Sequence, residues 1–315
     1  MKNAMRVLIL ASVIAAAPAA AQTFSIGTNP EGSAAYSTGA AVARVAKDKL
    51  GLRARVVPQG GPVVTLPLVS KGQLNASIAN SVVASFAYQG GAMFKGKPQK
   101  NVRVVAVVHT LRLGVFVRKD SKIKTLADLK GVRLSSDFAK QRIQHIFWSA
   151  ILAMPGLSFK DVQQVPVPNG VRAVDDFTAG KVDASMFSIT SGKVRQAFAS
   201  VDARYVPMYD DPSAVKRAQA ISPGIIIETV DPSPAYAGVT EPTKIMSAPF
   251  IVLAGAQEPE DGIYKLAKAM AENKKLMVSV FKGMGEFDPK KMYVDFGVPY
   301  HPGAMKYYRE TGQAK

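Results

Sequence analysis

Gly72-Gln73-Leu74-Asn75-Ala76-Ser77-Ile78 and Gly180-Lys181-Val182-Asp183-Ala184-Ser185-Met186 are one pattern written twice, at a sequence offset of 108. In each, a glycine able to close a helix in the left-handed region stands just before a short run suited to a buried strand. On either side the correspondence continues: Val57-Pro58-Gln59-Gly60 matches Val167-Pro168-Asn169-Gly170 at an offset of 110, and Gly27 matches Ser135 at 108. Between these anchors the periodicity predicts strand 24–27, helix 33–50, strand 53–58, a helix from Pro62 to Lys71-Gly72, and strand 76–79. The second copy predicts strand 132–135, helix 141–154, strand 162–167, helix 171–179 and strand 184–187. Three correspondences in register imply two similar β-α-β-α-β lobes. Strands alternating with helices make parallel sheets covered on both faces, so the predicted fold class is α/β, two lobes joined by a hinge with a ligand cleft between them. Segments 263–273 and 276–282 are helical in pattern and have no partner in the repeat.

In such sheets ligands gather beyond the C-terminal strand ends, where helix N-termini aim unpaired N–H groups. Here those loops are 27–33, 59–62, 80–82, 135–141, 169–170 and 188–191, rich in Gly, Ser, Thr, Asn and Gln and poor in acids. Together they offer neutral donors to a small anion; taken singly, each residue also serves as an ordinary turn or cap residue.

Composition removes whole classes of chemistry. The chain has 315 residues, 48% hydrophobic and 20% charged, enough for about two domains and unlike a disordered polymer. There is no cysteine and there are three histidines, His109, His145 and His301, far apart in sequence. A disulfide scaffold, a zinc-thiolate site and a cysteine nucleophile are thereby excluded, and no cofactor or metal is expected. The formal net charge is +17. Ten Lys/Arg and two acids, Glu31 and Asp48, fall within 24–107, so +8 of it lies there. Such an excess raises the local concentration of anions and suits an acidic docking partner.

The N-terminus has the order of a secretory signal: Lys2 and Arg6, an apolar run over 7–17, then Ala19-Ala20-Ala21 before Gln22. Cleavage near Ala21 is expected, which leaves +15 on a chain exported to the periplasm. No later run reaches the roughly 20 apolar residues a bilayer span needs, so an integral membrane protein is not expected.

Ile26-Gly27-Thr28-Asn29-Pro30-Glu31-Gly32-Ser33-Ala34-Ala35-Tyr36, followed by Thr38-Gly39-Ala40-Ala41-Val42-Ala43, resembles the opening signature of the TRAP-associated extracytoplasmic immunogenic (TAXI) solute receptors. These serve tripartite ATP-independent periplasmic (TRAP) transporters. The resemblance continues through Gln59-Gly60-Gly61, Ser70-Lys71-Gly72-Gln73-Leu74, Ile78-Ala79-Asn80-Ser81, Leu126-Ala127-Asp128-Leu129-Lys130-Gly131 and Tyr236-Ala237-Gly238, covering nearly the whole mature chain. It implies a non-catalytic receptor of type II periplasmic-binding-protein architecture. Such a receptor binds a small organic anion (a dicarboxylate, 2-oxoacid or acidic amino acid) by lobe closure and delivers it to a TRAP permease. After the 1–21 signal peptide read from the N-terminus, it also implies the division 22–108 first lobe, 109–254 inserted second lobe, and 255–315 return to the first lobe. The Leu126–Gly131 segment has a local reason too: Thr125 can cap a helix, Asp128 sits in its first turn and Gly131 can end it.

One stretch departs from the family pattern. Where the family has a Gly-Ser-Gly-Thr type loop, this chain reads Ser135-Ser136-Asp137-Phe138-Ala139-Lys140-Gln141-Arg142. Arg142 is then either the carboxylate partner that replaces a backbone cradle or a solvated helix residue. Pro62 stands where a serine is common, removing a hydroxyl and an N–H. The candidate ligand-binding residues are Thr28, Ser33, Tyr36, Gly60, Gly61, Asn80, Ser81, Ser135, Ser136, Gln141, Arg142 and Ser188. His109 and Arg112 flank the first crossover.

Other motifs fail on inspection. Gly91–Lys97 has phosphate-loop spacing, but Pro98 stands where Ser or Thr must hold magnesium. Asp175-Asp176 and Asp210-Asp211 are adjacent and point apart, and no Gly-x-Ser-x-Gly elbow occurs. Phe147 and Trp148 read as core. A secreted enzyme lacks a nucleophile paired with a base. A secreted polyanion or envelope binder is suggested by charge alone, without basic runs interleaved with aromatics, and nucleic acid is not an expected partner.

Overall fold

The computed structural model describes residues 23–315; the signal-like segment lies outside the described residues. The first unit runs β1 (Phe24–Thr28), α1 (Ala34–Leu50), β2 (Ala54–Pro58), α2 (Pro62–Ser70), β3 (Ala76–Asn80) and α3 (Ser81–Gln89). A long strand β4 (Val102–Arg118) then leads into the second unit: β5 (Arg133–Asp137), α4 (Ile143–Ala153), β6 (Gln163–Val167), α5 (Gly170–Thr178), β7 (Ala184–Ser188) and α6 (Gly192–Ser200). There follow β8 (Ala203–Val206), α7 (Pro212–Ile221), β9 (Ile226–Val230), a second long strand β10 (Thr243–Gly255), α8 (Glu260–Glu272), α9 (Lys274–Val280) and α10 (Pro302–Glu310).

All ten strands join one sheet whose main path is β2-β1-β3-β10-β4-β7-β5-β6. The outer triplets have the same order, and they have the same register. Phe24 pairs with Ala54 and Arg133 with Gln163, the same interval along the chain in each unit. Ile26 pairs with Ala76 and Leu134 with Ala184, again at one shared interval. The starts of β3 and β7, and those of α2 and α5, keep the offset read from the glycines. The duplication read from sequence is therefore structural, with one correction. The constant offset aligns Val57-Pro58 with Val165-Pro166, not with Val167-Pro168, and puts Gly61 opposite Asn169, the N-caps of α2 and α5. Two prolines in Val165-Pro166-Val167-Pro168 make a slip of one repeat of that dipeptide look equally good.

Central strands β4 and β10 run antiparallel and pair with each other from Val102/Gly255 to Leu113/Met246. Their lower halves carry the first unit, where β10 also pairs with β3; their upper halves carry the second, where β4 pairs with β7 and β8 and β10 with β9. Helices α8 and α9 pack on α1, and α10 packs on α8 and β4, so the C-terminal helices return to the first unit. The continuous apolar burial along β4 and β10 supplies most of the centre, each fully buried Val, Leu or Ile contributing about 1.5–3 kcal/mol. A smaller cluster of Phe116, Phe177, Phe187 and Tyr205 fills the second unit, with Phe116 meeting Phe177 edge-on at 5.0 Å.

Two local expectations are refined. The segment after Thr125 is a single 3-10 turn, Leu126–Leu129, rather than an α-helix; its reciprocal Thr125–Asp128 cap and the left-handed Gly131 (φ 75°) are as read. The helix expected from Gln141 begins at Ile143. No helix among the described residues is long and apolar enough to cross a membrane.

Candidate functional site

Where the two units face each other across β4 and β10 lies a small cavity, with about 30 Å³ open to the centre of a water-sized molecule. Asn29, Ser33, Ala34, Ala35, Pro62, Ile78, Ala79 and Asn80 come from the first unit. Leu111, Leu113 and Phe250 come from the central strands, and Gln141, Ile143, Gln144, Phe147, Phe187 and Ser188 from the second unit. Its lining obeys the duplication: Ser33 and Gln141, Ala35 and Ile143, Ala79 and Phe187, Asn80 and Ser188 are equivalent positions of the repeat. A cleft between duplicated units is thus built from the same positions of both.

Four helices start at this wall. Ser33 caps α1, accepting from the Tyr36 N–H at 3.1 Å and donating to the Pro30 carbonyl at 2.7 Å. Asn80 caps α3 by accepting from the Val83 N–H at 3.0 Å. Pro62 opens α2 and Ile143 opens α4. Helix N-termini carry partial positive charge, so their convergence favours an anion in the cavity.

Of the residues singled out from sequence, Ser33, Asn80, Gln141 and Ser188 line the cavity. Gln141 is tied down, its Oε1 accepting from the Gly170 N–H at 2.8 Å, and Ser188 Oγ lies 3.0 Å from Thr190 Oγ1. The others lie outside the lining. Thr28 is buried against α1 and donates to the Asn29 carbonyl at 2.9 Å. Ser81, Ser135 and Ser136 are buried, and Ser135 Oγ has no partner among the described residues. Tyr36 is half-exposed, with its hydroxyl bonded to Glu31, which pushes its ionisation upward. Arg142 is exposed and stands 3.9 Å from Asp137 instead of facing the cavity.

Gly60 and Gly61 work differently from each other. Gly61 is buried at φ 95°, a left-handed geometry, and a Cβ there would collide with Asn29 Oδ1. Gly60 sits at the rim, where a Cβ would strike the Lys140 carbonyl of the opposite unit. The units also touch where the Lys193 N–H donates to the Gly32 carbonyl at 3.0 Å. The two units therefore touch at Gly60 with Lys140 and at Gly32 with Lys193.

The residues that departed from the family loop make an unusual turn. Asp137 and Phe138 both adopt positive φ, 62° and 50°, without being glycine. Two non-glycine residues in this region store strain at a loop beside the cavity.

Sequence reasoning missed Asn29, Gln144 and the apolar wall. Gln144 was recoverable, standing one helical turn from Gln141 and therefore on its face. Leu111 and Leu113 alternate with Arg112, which puts that side chain on the other face of β4. There Arg112 bonds Glu286 and lies 3.0 Å from Glu228, while the Tyr236 hydroxyl donates to Glu286. Burial opposes the Arg112 charge, but its bond to Glu286 and the two carboxylates outweigh that and hold the guanidinium above its usual ionisation value. His109, also on β4, is buried between Thr38 Oγ1 at 2.9 Å and the Thr110 carbonyl at 3.1 Å; desolvation lowers its ionisation to about 4, so it is neutral. Phe147 and Trp148 are core, as read, though Phe147 also reaches the cavity.

Among the described residues no cluster of His, Asp and Glu could hold a metal ion. In fold the chain is similar to MatC from Rhodopseudomonas palustris with bound malate, at 14% identity and TM-score 0.59 over 92% of this chain and 97% of that one. It is likewise similar to the periplasmic binding protein BugD, at 12% identity and TM-score 0.59 over 93% and 98% of the two chains. The fold is that of periplasmic binding proteins. The NMT1-like family matches residues 26–312, nearly all of the described chain, and to that family this protein belongs.

Proposed function

We propose that this protein is a non-catalytic, extracytoplasmic solute-binding receptor of the TAXI type. It would capture a small organic anion by closure of two lobes, 22–108 with 255–315 and 109–254, and deliver it to a TRAP permease. The observation that carries the reading is the cavity between duplicated units, walled by the N-termini of four helices and, among the described residues, lined by no charged side chain. Neutral dipoles bind an anion without a buried counter-ion. Closure is a population shift favoured by contacts from both units to one ligand. The TAXI-like motifs and the secretory-type N-terminus support the transporter class and the periplasm, and the basic first unit suits an acidic permease surface.

The test is calorimetry on ligand-free protein with small carboxylates and with polyanions at two salt concentrations. The expected result is micromolar or tighter binding of a small acid with little salt dependence. Steeply salt-dependent binding of polyanions alone would overturn the reading. The permease is tested separately: uptake through a TRAP permease in vesicles should require this protein.

A further inference from the structure

The two walls of the cavity differ in chemistry although they are built from equivalent positions. The first unit presents small residues, Ala34, Ala35 and Ala79, at the N-termini of α1 and α3, so backbone N–H groups are approachable there. At the equivalent places the second unit presents Ile143 and Phe187, with Phe147 one turn further along α4. Leu111, Leu113 and Phe250 continue that apolar surface across the central strands. No Lys, Arg, Asp or Glu among the described residues lines either wall. Of the polar side chains on the second unit's wall, Gln141 and Ser188 have partners, whereas Gln144, 4% exposed, has an Oε1 without a hydrogen-bond partner among the described residues, as has Asn29 Oδ1 on the opposite wall. A buried amide oxygen left unpaired bears its whole desolvation penalty, and its place in the lining supplies a reason for it.

Building on the receptor reading, we infer that the ligand is a monocarboxylic acid with a branched aliphatic or aromatic body and at most one neutral hydrogen-bonding group. Its carboxylate lies against the α1 and α3 N-termini of the first unit, its apolar body lies against Phe147, Phe187 and Leu113, and its neutral group meets the Gln144 amide, a hydroxyl donating to Oε1 or a ketone accepting from the Nε2–H. The selectivity follows from what the walls lack. A second carboxylate would be buried among aromatic and aliphatic side chains without a cation, and an ammonium would face helix N-termini without a carboxylate; both costs are large. Dicarboxylates and zwitterionic amino acids, which the family resemblance brings forward, are therefore disfavoured, while an apolar body gains by leaving water.

The test is calorimetry on ligand-free protein with 4-methyl-2-oxopentanoate, 2-hydroxy-4-methylpentanoate and phenylpyruvate against succinate, malate, 2-oxoglutarate, glutamate and leucine at one ionic strength. At least one of the first three should bind tenfold or more tighter than every member of the second group. Gln144→Glu, nearly isosteric, should weaken that acid by about a hundredfold while a melting curve shows the fold retained, because it places a second negative charge beside the ligand. Tightest binding by a diacid or an amino acid, or a Gln144→Glu variant that binds better, overturns this inference and leaves the receptor reading standing. Absence of binding by every acid in the panel overturns both.

Discussion

Ser33 and Gln141 occupy the same place in two units of one topology, and both line the cavity, but their work differs. Ser33 caps its own helix; Gln141 leaves α4 without a side-chain cap and bonds the start of α5 instead. Tyr36 and Gln144 are an equivalent pair too; Tyr36 turns outward to Glu31 while Gln144 is buried in the wall. Asn29 is followed by Pro30 in ordinary backbone geometry, whereas Asp137 and Phe138 are held in the left-handed region. The scaffold of the duplicated unit has thus been kept while the loops above it diverged. Sheet register tolerates no slip, since one residue turns every side chain to the wrong face, but a loop beyond the strand end has no such constraint.

The two units should differ most at their helix starts. Gly61→Ala should cost about 3 kcal/mol or more, from a left-handed φ and a collision with Asn29, whereas Asn169→Ala at the equivalent cap should cost about 1 kcal/mol. Urea unfolding of the two variants measures the gap; equal losses would mean that the two starts are equivalent after all.

Next in size is a pH effect confined to the first unit's attachment. His109 ties α1 to β4, and burial lowers its ionisation from 6.5 to about 4, so between those values the unfolded chain binds more protons than the folded one. Its contribution is fully present above pH 6.5 and is lost as pH falls toward 4, at a cost of about 3 kcal/mol. Unfolding free energies measured from pH 7 to pH 4 should show this slope, and His109→Gln should remove that share of it.

The pairing of the units on the far face of β4 comes third. Glu286→Ala removes the acceptor of both Arg112 and the Tyr236 hydroxyl and should cost about 2 kcal/mol, with Glu286→Gln intermediate. Chemical denaturation of both variants checks the order. If the lobes close on ligand as proposed, Gly60→Ala should instead spare stability and weaken ligand binding by about tenfold, or about 1.4 kcal/mol, since its Cβ would meet the Lys140 carbonyl of the opposite unit. Smallest, Asp137→Gly should stabilise by about 1 kcal/mol by releasing strain that the first unit does not carry. An unchanged unfolding midpoint there would show the turn to be unstrained.

The fold was legible because the constant offset of the repeat is a property of strand and helix lengths, which periodicity reports. Both triplets of strands and the two helices after β10 were foreseen to within a turn at their ends. The candidate site was legible only where polar residues stand at strand ends or helix starts: Ser33, Asn80, Gln141 and Ser188, which line the cavity, are of that kind and visible in sequence. Phe147, Phe187 and Leu113 could not, because an apolar residue facing a cavity and one facing the core obey the same periodicity. Arg142 shows the converse: a charge near a helix start was conspicuous in sequence, yet it faces solvent and Asp137.

The chain passes between the units twice, once along β4 and once along β10, and these passages are bonded side by side. Two irregularities in their pairing, between Phe250 and Ile251 and between Val252 and Leu253, lie on the first unit's side of the crossing, and there β4 turns backbone groups to the C-terminal segment: the Val107 N–H donates to the Met292 carbonyl at 2.8 Å. Kinematically, a pair of bonded links forbids sliding and leaves one soft rotation, a twist about the ribbon itself.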